Sequence, residues 1–339
     1  MSDRKTFEAF LDQSDLSRPV VLHDGDVDGL GAAVVVGDRL SSETVFLTPP
    51  KGENAFTDSM AERLRKLDPS ALFVLDLGIR DFDLLPGIPY LFMDHHRPEG
   101  LPKGTVISGY GRDPVPTTSL LAWHAAGTPE NAWKAAIGNV GDLGPTDPEL
   151  DVARRGQTIK RFDAAKSLLN SAKRSSDPDA AVPAALRLFQ RSQSAQEVIE
   201  ADDEDALRLR SFHEEVKREL AESRRAAPVF ATKEPIAMLR FDSPCRVHPL
   251  LAQSWKGRLP KYVIMAANGK FRPGYVSFSM RTDAEINILD LLARHKPSLG
   301  VDTPEYGLGH DQASGGSLLL EVFDRFCESV GLPIPARPQ

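Results

Sequence analysis

The sequence predicts an α/β protein in three parts: a parallel-sheet domain over residues 1–150, a helical connector over 151–226, and a smaller mixed α/β domain over 227–339. Three observations predict it. Between residues 19 and 96, short and continuously apolar runs alternate with helical stretches, the pattern of strands buried on both faces of a parallel sheet. Over 151–225 the chain turns to Arg, Ala, Ser, Asp and Glu at helical spacing. From about 227 strand-like runs return and close on an amphipathic helix.

The first strand is expected at 19–23, followed by a helix over 29–40 and strands at 44–48, 71–78 and 90–96. Asp24, Asp76 and Asp94 fall where three of these apolar runs stop. Ligands of open parallel sheets bind beyond the carboxyl ends of the strands, so this convergence marks a site. In the connector, Leu209, Phe212, Val216 and Leu220 share one helix face. The acidic run 200–205 reads as a solvated helix start, not a metal site. Strands follow at 262–269 and 275–282; in the second, Val276, Phe278 and Met280 alternate with Ser277, Ser279 and Arg281. The last helix, at 318–326, is expected to open just after Gly315 and Gly316.

The chain has 339 residues, enough for two domains with their own cores. No apolar run approaches the ~20 residues that span a bilayer, and the first residues lack the apolar segment of a secretory signal. Cys245 and Cys327 are the two cysteines and have no paired metal-ligand spacing. A cytoplasmic protein with no membrane partner is therefore expected. The net charge is −7, which disfavours a tight grip on long nucleic acid and favours small or short phosphorylated substrates.

Asp24-Gly25-Asp26-Val27-Asp28-Gly29 gathers three carboxylates directly after a strand. Like charges so close raise one another's pKa, and a hard divalent ion with oxygen ligands relieves the repulsion. The pattern also fits a calcium loop, but Val35 stands where that loop needs its twelfth-position Glu. An acidic turn of helix caps is the plain alternative. Asp94-His95-His96 puts two imidazoles and a carboxylate at a strand end; imidazole suits manganese, zinc or iron. Asp76 and Asp142, each taken alone, read as turn or cap residues.

Together, in this order, these motifs resemble the DHH phosphoesterase family, whose members include RecJ-type single-strand exonucleases, nanoRNase/pAp phosphatases and cyclic-dinucleotide phosphodiesterases. The resemblance continues in Gly309-His310-Asp311-Gln312-Ala313-Ser314-Gly315-Gly316 and Ser279-Met280-Arg281-Thr282, which look like the glycine–histidine motif and the S-x-R-S strand of the DHH-associated C-terminal domain. It covers the chain apart from the connector. The sequence departs from the pattern at Val20, where many small-substrate members carry a His (His23 lies beside Asp24 instead), and at Leu308, where the family often has a Gly.

The resemblance implies an active site in an interdomain cleft and two divalent metal ions, manganese first among them, with magnesium or cobalt as alternatives. Asp24 and Asp76 would hold the first ion, and Asp26, Asp76, His95 and Asp142 the second, with Asp76 bridging. His96 would orient a ligand or the scissile phosphate. Arg281 and His310 would hold substrate phosphate, and Gly309, Gly315 and Gly316 would let backbone N–H groups approach it at the last helix's N-terminus. The implied activity is hydrolysis of phosphoesters in a short oligonucleotide, a dinucleotide or a pAp-like substrate. An exopolyphosphatase is the nearest enzymatic alternative, and a homodimer is left open. RecJ-type exonucleases add a further module for longer strands, for which this chain is expected to have no room after the C-terminal domain, so a RecJ-like exonuclease acting on single-stranded nucleic acid is the second reading. It would need a basic groove, for which Lys160, Arg161, Lys166 and Lys173 are candidates.

Overall fold

The computed structural model describes residues 2–142, 157–301 and 306–334, with the Leu308 side chain excepted. The expected boundary at residue 150 lies outside the described residues. The chain forms two compact units: Met1–Lys173 with Asp177–His213, and Arg174–Ser176 with Glu214–Gln339.

The first unit carries a five-stranded sheet in the order β2-β1-β3-β4-β5, all parallel. Its strands are β1 (Pro19–His23), β2 (Val45–Leu47), β3 (Ala71–Leu75), β4 (Tyr90–Asp94) and β5 (Thr105–Ser108). Alternate residues serve opposite faces. Val21, Phe73, Leu91 and Met93 pack into one apolar cluster, while Val20, Leu22, Leu72, Val74 and Phe92 pack into another with Met60, Ala61 and Leu64 of α3 (Asp58–Arg65). Burial on both faces is why the apolar runs are continuous rather than alternating.

The larger cluster is covered by α1 (Asp3–Gln13), α2 (Val27–Gly37), α4 (Thr118–Ala126) and α5 (Ala132–Asp142). The residues expected as a connector add α6 (Ile159–Arg174), α7 (Pro178–Arg191) and α8 (Ala195–Glu200) to the same core, through Phe162, Leu169, Val182, Phe189 and Val198. Helix α9 (Glu204–Ser223) follows, and the division between the units falls within it. Its single apolar face serves separate cores: Leu209 and Phe212 pack in the first unit, Val216 and Leu220 in the second. The acidic run is a helix start, with Asp205 ion-paired to Arg187 and Arg191.

The second unit carries a six-stranded sheet, β10-β11-β9-β8-β7-β6, built from β6 (Pro228–Phe230), β7 (Ile236–Phe241), β8 (Val263–Asn268), β9 (Tyr275–Arg281), β10 (Tyr306–His310) and β11 (Ala313–Leu319). All neighbours pair antiparallel except β7 with β8. On one face Val276, Phe278 and Met280 pack with α11 (Ile288–His295) and α12 (Leu320–Val330); on the other, Ala237, Leu239, Ile264 and Ala266 pack with α10 (His248–Lys256).

The end of the chain departs from expectation. Gly315 and Gly316 do not open a helix. They lie inside β11, with Leu308 and Tyr306 opposite on one side and Ser279 and Phe278 on the other, and α12 begins only at Leu320. A central strand commits its backbone N–H groups to its neighbours, so these glycines cannot present a helix N-terminus to a phosphate. At Gly309 the requirement for glycine is local. Its φ is +126° and a Cβ there would lie 2.3 Å from the Ala313 carbonyl oxygen, so no other residue fits the hairpin. Among the described residues no helix is long and apolar enough to cross a membrane.

Candidate metal centre

The site grows from the carboxyl ends of three neighbouring strands. Past β1, the Asp24 N–H donates to the Leu75 carbonyl at 3.1 Å; past β3, the Asp76 N–H donates to that of Met93 at 3.0 Å. The ladder thus carries Asp24, Asp76 and Asp94 onto adjacent strand ends, at the ~4.8 Å spacing of a sheet. Asp76 has a φ of +61°, a left-handed conformation that Asp tolerates better than most side chains but at a cost.

After β1 the chain turns straight into α2. Asp26 caps that helix, accepting from the N–H groups of Asp28 at 3.2 Å and Gly29 at 3.3 Å. A Cβ at Gly29 would sit 2.4 Å from the Asp24 carbonyl oxygen, so this turn demands glycine. Asp28, in the first turn of α2, is buried and reaches the start of α4, accepting from Thr118 N–H and Ser119 N–H at 2.9 Å each.

His95 stands at the middle of the cluster. Its Nε2 lies 3.4 Å from Asp142, 3.7 Å from Asp76 and 4.0 Å from Asp28. Two sets of donor atoms fall within 4.8 Å of one another: Asp76, His95 and His96, and Asp28, His95 and Asp142. Thr118 Oγ1 donates to Asp76 at 2.8 Å. Asp94 serves a different purpose: it accepts from Gly78 N–H at 2.6 Å, His96 N–H at 2.7 Å and the His96 ring at 2.8 Å, fixing the loop and aiming that ring. Asp24 and Asp26 stand apart from both sets and pair with Lys173, whose Nζ contacts Asp24 and lies 3.1 Å from Asp26. His23 also lies outside both sets, its ring buried near Phe46 and its Nδ1 2.7 Å from the Asp24 carbonyl.

The charges are held under strain. Burial pushes Asp76 well above the ordinary carboxylate range, and Asp28, Asp26, Asp94 and Asp24 push it further. Burial likewise takes Asp28 up to about 6, with His95 opposing and Asp142 adding. Burial disfavours a charged His96, but the hydrogen bond and charge of Asp94, with Asp142 and Asp24, outweigh it and raise the ring to about 9. Asp94, despite its burial, is held below its usual value by His96 and by the two backbone N–H groups. Burial depresses His23. Carboxylate oxygens and imidazole nitrogen converging in a protonation-frustrated pocket are the donor set that manganese or magnesium takes; the residues present fit such an ion.

Sequence reasoning did not assign Asp28 or Lys173 to the centre. Asp28 was visible as the third acid of its motif, but its partners lie ninety residues away on α4. Lys173 gave no local signal and read as a candidate for a basic groove. The structure commits it to Asp24 and Asp26, and commits Lys166 to Asp163 at 2.6 Å.

In the second unit Arg281 ends β9 and donates to Ser279 Oγ at 2.9 Å and to the Met280 carbonyl at 2.8 Å. Burial and the neighbouring Arg246 hold its pKa down. His248, at the start of α10, is depressed well below its usual value by burial, Arg246 and Arg281, and its Nδ1 is buried without a hydrogen-bond partner among the described residues. His310 is exposed, next to Gly309 in β10.

No protein-family profile matches the sequence, and no significant relative emerges among curated proteins. Solved structures do resemble it. RecJ from Thermus thermophilus in complex with Mn2+ matches with a TM-score of 0.69 at 18% identity, over 99% of this chain but 55% of that one. An exonuclease RecJ bound to manganese matches with a TM-score of 0.69 at 18% identity, over 98% of this chain and 94% of that one. The DHH domain of a member of the s1p family of ribosomal proteins matches with a TM-score of 0.63 at 14% identity, over 96% and 88%. The order of strands, the acids at their ends and this likeness along nearly the whole chain agree: the protein has the α/β fold of the DHH family, the fold of RecJ.

Proposed function

We propose that the protein is a divalent-metal phosphoesterase, manganese-preferring, that hydrolyses short oligonucleotides or related small nucleotide phosphoesters. The observation that carries the reading is the gathering of Asp28, Asp76, His95, His96 and Asp142 at the strand ends. Asp28 and Asp76 are buried, and uncompensated acids in such a place are costly. Asp76, His95 and Asp142 are assigned to one ion. Asp24 and Asp76 are assigned to the other. Asp26, expected with the former, is assigned with Asp24, a reading supported by the Lys173 ammonium that the two acids share. The chemistry that divalent ions supply at such a centre is polarisation of the phosphoryl group and a lowered pKa for water.

The chain's own groups do the rest. Asp94 fixes the His96 ring through its hydrogen bond, so that His96 can orient a ligand or the scissile phosphate. Thr118 Oγ1 holds the Asp76 carboxylate in one rotamer. Arg281 is assigned to substrate phosphate as a permanently charged donor, with His310 and the Gly309 turn assigned to the same phosphate.

The test is a panel of labelled RNA and DNA, from dinucleotides to about twenty nucleotides, with pAp, cyclic dinucleotides and polyphosphate, given to metal-stripped protein resupplied with manganese. Preferential decay of the shortest chains or pAp supports the proposal. Processive decay of the longest single strands replaces it with the exonuclease reading, which the likeness to exonuclease RecJ favours. Cleavage of polyphosphate alone makes it an exopolyphosphatase. Metal binding with no turnover makes it a binding protein.

Manganese is also expected to raise the melting temperature by about 5 °C or more at a hundredfold excess over Kd, and the rise should grow with pH. Asp28 and Asp76 have raised pKa values in the folded chain, so the metal-free fold holds protons that the unfolded chain has released. The stability these protons confer is lost as pH climbs from the ordinary carboxylate value of 3.8 through about 6 for Asp28. Metal binding expels the same protons, so its advantage widens over that window. Melting curves with and without manganese at about pH 5 and about pH 7.5 check it; a shift that shrinks with rising pH contradicts the assignment.

A further inference from the structure

We infer that Lys173 is a built-in cation for the Asp24–Asp26 pair and makes loading of the centre sequential. Asp76, His95 and Asp142 take one divalent ion tightly, and a second ion enters at Asp24 and Asp26 only by displacing the Lys173 ammonium. This inference rests on the metal-centre reading above.

Lys173 contacts Asp24 and lies 3.1 Å from Asp26. Its side chain is 22% exposed, against 20% and 37% for the two acids, so the triplet is shielded from bulk water on most sides. The contact is anchored. Asn170, one helical turn earlier on α6, accepts from Val27 N–H at 2.9 Å and is itself buried. Residues at i and i+3 share a helix face, so Asn170 and Lys173 together seat α6 on the loop from Asp24 to Val27. Neither Asp24 nor Asp26 joins the two close donor sets around His95. The acids at the strand ends are therefore divided: Asp24 and Asp26 share a cation from the chain, and the donor sets around His95 do not include it.

An ammonium a few ångströms from a divalent ion on the same oxygens repels it strongly in a partly buried setting. Lysine sits on a flexible four-carbon stem and can swing away, so the second position is hindered and not closed. A lysine here sets the order and affinity of loading, a positioning role distinct from direct action on substrate.

The test is manganese titration of the full chain by calorimetry, with metal content by mass spectrometry and electron paramagnetic resonance to detect a coupled pair. The parent is expected to bind one ion tightly and a second at least about tenfold more weakly. Lys173→Gln should tighten the second ion at least about tenfold and bring the coupled signal to lower manganese, and Lys173→Arg should not. Two equally tight ions in the parent, or a Lys173→Gln protein that still loads the second ion weakly, overturns the inference. A parent that binds no manganese at all defeats the metal-centre reading itself, whatever residue stands at 173. Circular dichroism in excess chelator verifies the fold of each variant; where Lys173→Gln does not fold, the parent's two affinities decide.

Discussion

Replacing Asp76 with asparagine is expected to abolish tight manganese binding and to lower phosphoester hydrolysis at least about a thousandfold, while leaving the metal-free fold at least as stable as the parent. Asp76 lies 3.7 Å from His95 and 4.0 Å from His96 and belongs to a close donor set. Its carboxyl is driven well above its usual pKa by burial and by four neighbouring acids. Asparagine keeps the oxygen that accepts from Thr118 and tolerates the positive φ. It replaces the second carboxylate oxygen with a neutral NH2 donor. Losing the carboxylate relieves repulsion in the metal-free chain and, on the proposed reading, deprives a divalent ion of a ligand. Calorimetric melting in chelator, paired with metal content and turnover, reads both halves. An Asp76→Asn protein that turns over substrate normally without bound metal would remove the basis for the centre.

Asp28→Ala should cost about 2–4 kcal/mol of stability in the metal-free protein, the largest structural effect expected from a single side chain at this site. Asp28 is the acceptor for two backbone N–H groups, Thr118 and Ser119, at the first turn of α4. The residues are buried, so alanine leaves two donors without water or protein to bond, and the helix start loses a favourable negative charge. Relief of repulsion from Asp142 and Asp76 offsets part of this cost. Asp28→Asn retains one acceptor and should fall between parent and alanine. Denaturant midpoints of the three proteins check the order; an alanine variant as stable as the parent would show that the carboxylate does not cap α4.

Much of the site was written locally. A parallel strand buried on both faces must be apolar along its length and must stop where the chain meets solvent at the sheet's carboxyl edge. Pro19–His23, Ala71–Leu75 and Tyr90–Asp94 obey this, so Asp24, Asp76 and the Asp94-His95-His96 run could be placed at one edge before any coordinates. The alternation in β9 likewise fixed which of its residues face the core. The last helix was harder. Residues 318–326 are apolar enough for either a buried strand or a helix, and only pairing of β11 between β9 and β10 decides that residues up to Leu319 extend the sheet.

Other features have no local signature. The helices after residue 158 look like a linker by composition, yet their apolar faces complete the core of the first sheet. Asp28 resembles its two neighbours in the motif, but the fold separates the three: Asp24 and Asp26 go to Lys173, and Asp28 to the start of α4. Asp94 is placed at the strand end by its position in the sequence, but only the fold shows that its carboxylate holds the His96 ring.

What the amino-acid sequence determined by itself was the class of fold and the edge at which acids and histidines collect, because strand burial and turn chemistry act over a few residues. What only the tertiary structure decided was which acid meets which cation, because Lys173 and Thr118 reach the cluster through helix packing that joins residues some ninety to one hundred and fifty positions apart, and no short-range pattern encodes that distance.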